Sequence, residues 1–578
     1  MSVPKIEFNE HFKLPIYYNE HKMSLKKAVA MDLELVDTID GSNNPMYHYF
    51  FNETKDVKNE LDRCPFSKNL IKQMGDYYTT DTEFLKDQQE LLQTYKTEAK
   101  SDSIQTRMLQ IWNEIKNDSG FKEKYYYIDW KPLEFLNRSE FFLQFMSIYN
   151  ITSPIISLLV PIFILIIPFF IIKIRGLDIS MSEYFAVLKH IVSQHAIGKL
   201  FTEFNDVSIN QKMYILISAT FYLFSIYQNI MLCIKFNNNM KVIHNHFINI
   251  REYLEETTNS MSHYYEYSKN LETHTEFNSI LLIKRQVLLD FKEKISFISK
   301  YQFSLKNIFE IGSVLRNFYE LFVNIDYHDA FLYSFGFHGY LRCLDGLVQN
   351  IRSKQIQYAV FIKNKKNNQI KNNYYAALKN NQPIKNTIHF EKNMIITGPN
   401  ASGKTTLLKS ALLNIIFTQQ FGCGFYDSAK LKPYKYIHCY LNIPDTSGRD
   451  SLFQAEARRC KEIIETVRKD KDTHFCVFDE LYSGTNPEEA TASAISFMEY
   501  LVKHSNTSSI LTTHYIDVCT KLNENPKVAN YHMKITNENN HFKYTYRLFE
   551  GISKIKGGVQ VLKDMDYPEE IINALQKE

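Results

Sequence analysis

The chain has 578 residues, more than one hydrophobic core usually organises, so two or three domains are expected. Apolar residues (44%) and charged residues (23%) have the proportions of a folded protein, and Lys+Arg 67 against Asp+Glu 64 leaves a net charge of +3. That balance excludes a global electrostatic drive toward nucleic acid and leaves only a local basic stripe for such contacts. Eight cysteines are scattered without a CxxC pair or a His at ligand spacing. This argues against a disulfide framework or zinc site and fits a reducing compartment. The first twenty residues are polar, with no apolar stretch of signal-peptide type.

Residues 1–150 read as an N-terminal helical core region, with charged and apolar residues mixed as in DTEFLKDQQELLQTY (81–95). Residues 151–172, ITSPIISLLVPIFILIIPFFII, hold no charge and are closed by Lys173 and Arg175. A helix of that length spans the hydrocarbon core of a bilayer. Residues 213–234 form a second such run between Lys212 and Lys235, with Gln228 and Asn229 its strongly polar members. The expectation is a pair of transmembrane helices within 151–235; a pair of fully buried helices is the competing reading. Pro154, Pro161 and Pro168 recur at a spacing of seven. They remove helix hydrogen bonds, so a bent helix or re-entrant hairpin is the alternative to two spans. The 173–212 loop carries Lys173, Arg175, Lys189, Lys199 and Lys212, so positive-charge bias does not support placing it opposite the cytosol. Residues 236–355 read as a helical lever or core region with apolar residues at helical spacing. The stretch IKNKKNNQIKNN (362–373) reads as an exposed basic hairpin or loop.

Residues 356–578 carry the chemistry. MIITGPNASGKTT (394–406) is a strand, a glycine-rich turn and the start of a helix. Gly398, Pro399, Asn400, Ala401, Ser402, Gly403, Lys404, Thr405 and Thr406 form the turn that wraps a nucleotide's phosphates. Glycines let backbone N–H groups face the phosphates, and the helix adds its positive end. Lys404 would reach the terminal phosphates, and Thr405 would offer a hydroxyl to Mg²⁺. HFCVFDE (474–480) ends in two acids: Asp479 suits Mg²⁺, and Glu480 suits a general base for water attack on ATP. SSILTTH (508–514) ends in His514, placed to contact the γ-phosphate. Three strands separated by helices imply an α/β domain with phosphates at the strands' C-terminal ends.

These segments resemble the MutS family of ATPases, relatives of the ABC ATPases. TGPNASGKTTLLKS looks like the family's phosphate-loop segment. QFGCGFYDSA (420–429) is similar to its Gln loop, SLFQAE (451–456) to its signature, DELYSGTNPEEA (479–490) to its acidic motif and TTHY (512–515) to its switch. The run 549–575 resembles the segment ending the ATPase core. The resemblance implies an ABC/MutS-type P-loop ATPase domain preceded by an all-α core and lever region. It implies ATP and Mg²⁺ as ligands, Gln420 beside the nucleotide, and a homodimer whose composite sites take Ser451 from the other subunit. Ser483 stands where the family commonly has Arg, and Leu452 where it usually has Thr. No mismatch-reading domain is recognised before the helices. Because the apolar pair falls about where the family places its DNA clamp, the leading expectation is a membrane-anchored, two-span ATPase with its nucleotide domain in the cytosol. A DNA-binding repair or recombination protein is the second reading, and an ABC-type transporter component the third.

Overall fold

The computed structural model describes residues 7–40, 43–53, 66–97, 102–176, 180–194, 198, 204, 208–302, 304–441, 451–538, 541–553, 567–568 and 570–572. Part of the 173–212 loop and most of the 549–575 run lie outside these. The chain forms two compact units, one from Met1–Asp102, Asn259–Arg285 and Leu332–Glu578, the other from Ser103–Thr258 and Gln286–Phe331. The stretch 1–150 is therefore shared between the units rather than forming one region.

The second unit is helical. Its principal helices are α1 (Glu140–Ile174), α2 (Ile209–Ser268, whose last turns belong to the other unit) and α3 (Leu305–Val323). Ser139 caps α1 by accepting the Phe142 N–H at 3.3 Å. The prolines do not break α1, which runs continuously through all three. Pro154 leaves the Asn150 carbonyl without its helical donor, and Ser153 Oγ donates to it at 3.2 Å. Pro161 frees the Ser157 carbonyl in the same way, and the Tyr222 hydroxyl of α2 donates to it at 3.0 Å. α3 packs against the start of α1 through Gly312, where an added Cβ would lie 2.4 Å from the Glu140 carbonyl oxygen. The Gln144 side chain seals this contact, donating to Ile308 O at 2.7 Å and accepting from the Gly312 N–H at 2.8 Å.

Among the described residues, α1 and α2 are the two helices long and apolar enough to cross a membrane, judged by length and composition. Their most apolar windows are only 22% and 11% buried, the reverse of what a soluble core helix shows. Phe163, Phe221 and Leu223 are each more than half exposed.

The first unit holds a six-stranded sheet. Its elements in chain order are β1 (Asn393–Thr397), α4 (Lys404–Phe421), β2 (Tyr436–Tyr440), α5 (Leu452–Lys469), β3 (His474–Asp479), α6 (Pro487–Leu501), β4 (Thr507–Thr513), β5 (Val528–Glu538) and β6 (His541–Glu550). The strand order is β6-β5-β1-β4-β3-β2, parallel throughout except for the β5–β6 hairpin. Every residue of β1 and β4 is buried, as parallel strands covered on both faces require. Ile395, Phe478 and Leu511 of the sheet join Cys460, Ile463 and Val467 of α5 and Phe497, Met498 and Leu501 of α6 in one core.

A second, five-stranded sheet includes Gln357–Phe361 and Gln369–Asn373. The basic stretch 362–373 is thus only partly a loop, and Lys365 Nζ is drawn in to donate to Thr507 O at 2.6 Å. N-terminal segments pack on α4 within this unit. Phe50 stacks on Phe417 with ring centroids 4.1 Å apart, and Gln89 donates to Gly422 O at 2.7 Å. The C-terminal region is a mixed α/β assembly, and helices dominate the chain before it.

Candidate functional site

The parallel register sets the site. Asp479 pairs with Thr512 across β3 and β4, and Thr397 with Thr513 across β1 and β4. The C-terminal ends of three adjacent strands therefore open side by side, where α/β sheets hold ligands.

The chain leaves β1 through a tight turn. Gly398 has φ 155° and Gly403 φ 93°, conformations open to glycine. A Cβ at Gly398 would lie 2.8 Å from Ser402 Oγ, and one at Gly403 would lie 3.0 Å from the Tyr546 ring. Ala401 takes φ 63° in the same turn. Lys404 opens α4, whose first N–H groups have no helical partner and whose dipole favours an anion. Its side chain is buried, with Nζ donating to Gly398 O at 2.8 Å and Pro399 O at 3.2 Å. Burial lowers its pKa, opposed by the nearby Glu480 and Asp479 carboxylates. Ser402 Oγ is buried with no hydrogen-bond partner among the described residues, a polar atom suited to a bound ligand.

Asp479 ends β3. Its carboxylate accepts the Thr405 hydroxyl at 2.9 Å and the Thr512 hydroxyl through its other oxygen. A hydroxyl and a carboxylate in contact are hard oxygen donors of the kind Mg²⁺ takes. Glu480 follows with φ 51°, its N–H held by Thr512 O at 3.0 Å. Its Oε1 lies 3.4 Å from His514 Nδ1 and 3.9 Å from Lys404 Nζ. The His514 contact, with help from the charges of His514 and Lys404, lowers the Glu480 pKa against the opposing effect of burial. Glu480 is thereby held as a carboxylate.

These groups border a cavity of about 670 Å³. Asn400 to Thr406, Asp479 and Glu480 form one side. The rest of the lining comes from residues outside the motifs, among them Tyr374, Tyr375, Ile384, Met533 and Tyr546. Asn386 fixes the Tyr546 segment, donating to Tyr546 O at 2.9 Å and accepting from the Leu548 N–H at 2.8 Å. Sequence reasoning missed this wall because nothing in the local pattern marks it; only the β5–β6 hairpin brings Tyr546 over Gly403.

Two expected site residues lie elsewhere. Gln420 sits near the far end of α4, about 24 Å along the axis from Lys404 at 1.5 Å per residue. There it donates to Met74 O at 2.7 Å and Tyr77 O at 2.8 Å and accepts from the Tyr47 hydroxyl at 2.9 Å. Its place beside the nucleotide is therefore corrected: the helix continues through Gln420 and delivers it to the packing of the N-terminal segments. Ser451 lies at the N-cap of α5, where its hydroxyl accepts the Gln454 N–H at 3.3 Å in a reciprocal capping box. It is exposed and does not line this chain's cavity.

The fold and its site define a mixed α/β domain with a glycine turn, a helix N-terminus and adjacent acids converging at one strand edge. Residues 394–578 match the family model of MutS domain V, the ATPase domain of that family. Among curated relatives, the chain is 26% identical over 215 residues to an Endonuclease MutS2 of Streptococcus uberis, covering 37% of this chain and 27% of that protein. It is 27% identical over 210 residues to a DNA mismatch repair protein MutS of Persephonella marina, covering 35% and 24%. A MutS of Prochlorococcus marinus is 28% identical over 193 residues, covering 33% and 21%. The chain thus spans about a quarter of the length of these relatives, and the matches support a MutS-family origin for its C-terminal region.

Proposed function

We propose that the chain is a MutS-like ATPase that binds Mg·ATP in the cavity beside Lys404 and works as a membrane-anchored homodimer. The observation that carries the nucleotide reading is the meeting of Lys404, the Thr405–Asp479 contact and the Glu480–His514 pair at one strand edge. Residues 400–406 and the α4 N-terminus would take the phosphates. The apolar and aromatic wall with Tyr546 and Ile384 fits a nucleobase. Thr405 and Asp479 would hold Mg²⁺, which supplies charge neutralisation to the phosphates when bound. Glu480, kept ionised by His514 and Lys404, orients and accepts a proton from water. On binding, the Lys404 ammonium would exchange its two turn carbonyls for phosphate oxygens.

Ser451 supports a composite site because it is exposed and lies off its own cavity, leaving it available to a second copy's nucleotide. ATP then favours the closed pair, and hydrolysis releases it. Membrane anchoring rests on the most apolar windows of α1 and α2, which have little protein over them, and on the internal donors to the Asn150 and Ser157 carbonyls freed by Pro154 and Pro161. The printed names of the relatives favour a second reading, a DNA-acting protein in which these helices serve another purpose.

Nucleotide binding measured on wild type and Lys404→Ala tests the first part; equal affinity in both would overturn it. Fractionation tests the second, since recovery wholly in the soluble fraction without detergent excludes anchoring. DNA affinity that falls steeply with salt and responds to ATP would select the DNA reading.

A further inference from the structure

Glu456, on the second turn of α5, has no place in the chemistry described so far. Its side chain turns into the protein and is 2% exposed. The carboxylate accepts the Ser483 hydroxyl at 3.0 Å and the Gly484 N–H at 3.2 Å. Those partners lie in the turn directly after Glu480. That turn is unusual, because both Glu480 (φ 51°) and Tyr482 (φ 59°) take left-handed conformations without being glycine. Such backbone persists only where its surroundings over-determine it. The surroundings here are few and specific. Tyr440 Oη accepts the Tyr482 N–H at 3.2 Å. Gly484 lies so close to α5 that an added Cβ would stand 2.8 Å from Phe453 N. The Glu480 N–H is held by Thr512 O, and Glu456 adds its bonds to Ser483 and Gly484 from the helix that Ser451 caps.

We propose that Glu456 is a positioning residue that fastens the turn following Glu480 to the first turns of α5, so that Ser451 and Glu480 move as one body. The inference rests on the ATPase reading above. In that reading Ser451 meets the partner's nucleotide while Glu480 serves its own, and the Glu456 clamp links the two. Engagement of one nucleotide by Ser451 then sets the alignment of the base at the other. The clamp uses a hydroxyl and a backbone N–H, both donors, and the two carboxyl oxygens accept one each. A glutamine presents one acceptor oxygen in their place.

The test compares the intact wild-type chain with Glu456→Gln, Ser483→Ala and the double variant, reading kcat, KM, fluorescent-ATP affinity and melting temperature. Misplacing Glu480 should lower kcat in Glu456→Gln by roughly tenfold to a hundredfold, with KM and nucleotide affinity within about twofold of wild type. Ser483→Ala, which removes one donor at an accessible turn, should lower kcat less. The double variant should be no slower than Glu456→Gln, because both changes open the same clamp. Equal kcat in Glu456→Gln and an active wild type overturns the positioning role alone. So does a parallel loss of kcat, affinity and melting temperature in both single variants, which marks a purely structural residue. A wild type that binds no nucleotide overturns the ATPase reading, and this role with it.

Discussion

Around the strand edge near Lys404, hydrogen bonds join Thr405, Asp479 and Thr512, and Glu480 lies between His514 and Lys404. Along the most apolar windows of α1 and α2 the situation is inverted: polar atoms are few, and the apolar side chains have little protein over them. The first region depends on the placement of individual oxygen and nitrogen atoms to within tenths of an ångström. The second depends on what solvent surrounds it. Point changes should therefore act differently in the two places, altering chemistry in one and partition in the other.

The largest effect is expected at Glu480. Glu480→Gln should keep ATP bound while lowering kcat by roughly 10²–10⁴-fold, the usual weight of a general base. Steady-state turnover beside nucleotide affinity checks this, and a kcat near wild type would break the assignment of the base. In the other region, Leu223→Lys puts a charge on an exposed apolar face of α2. In a bilayer that costs about 3 kcal/mol at the helix centre, so the membrane-bound fraction should fall sharply. In a soluble protein the same change should leave the melting temperature unaltered and raise solubility. The variant thus separates the two environments directly.

Gln420→Ala sharpens the boundary of the site. It removes the amide that donates to the Met74 and Tyr77 carbonyls, while the Tyr47 hydroxyl keeps its contact with Met74 O at 2.7 Å, at a cost of about 1–3 kcal/mol. Stability should drop while nucleotide affinity holds; a selective loss of affinity would return Gln420 to the nucleotide. The smallest effect concerns Asp32, whose pKa burial raises to about 6 against the opposing Cys439 Sγ–H, 3.4 Å away, and Arg459. The folded chain holds this proton more tightly than the unfolded chain, so stability from this group is present at low pH and falls as pH rises from about 4 through 6. Asp32→Asn should match wild type at pH 4 and melt higher at pH 7. Melting curves at the two pH values check the sign.

Much of the candidate site was legible from local pattern. A glycine turn between a β-branched strand and a helix has one productive geometry, and Asp479, Glu480 and His514 each end a strand whose apolar run is visible. Parallel pairing then makes their meeting almost unavoidable. Gln420 was misread because helix length decides where it goes: α4 does not stop before it, so the side chain emerges at the opposite end from the phosphate loop. Tyr546 was invisible because it follows no periodic or motif signal and reaches Gly403 only through the β5–β6 hairpin. The prolines of α1 left a bent helix open as the alternative. Their missing N–H groups were plain, but the Ser153 and Tyr222 hydroxyls that compensate are a matter of rotamer and helix pairing.

By itself the amino-acid sequence determined the identities and spacing of the phosphate turn, the twin acids and the two charge-free runs, because these follow from backbone sterics, short-range order and composition. Only the tertiary structure decided which residues face them. The rest of the cavity lining near Lys404, the reach of Gln420 to the Met74 carbonyl, the closeness of Gly312 to α1 and the Glu456 clamp all join positions whose separation along the chain carries no information about their distance in space. That distance is set by strand register and helix length, quantities that emerge only when the whole core is packed.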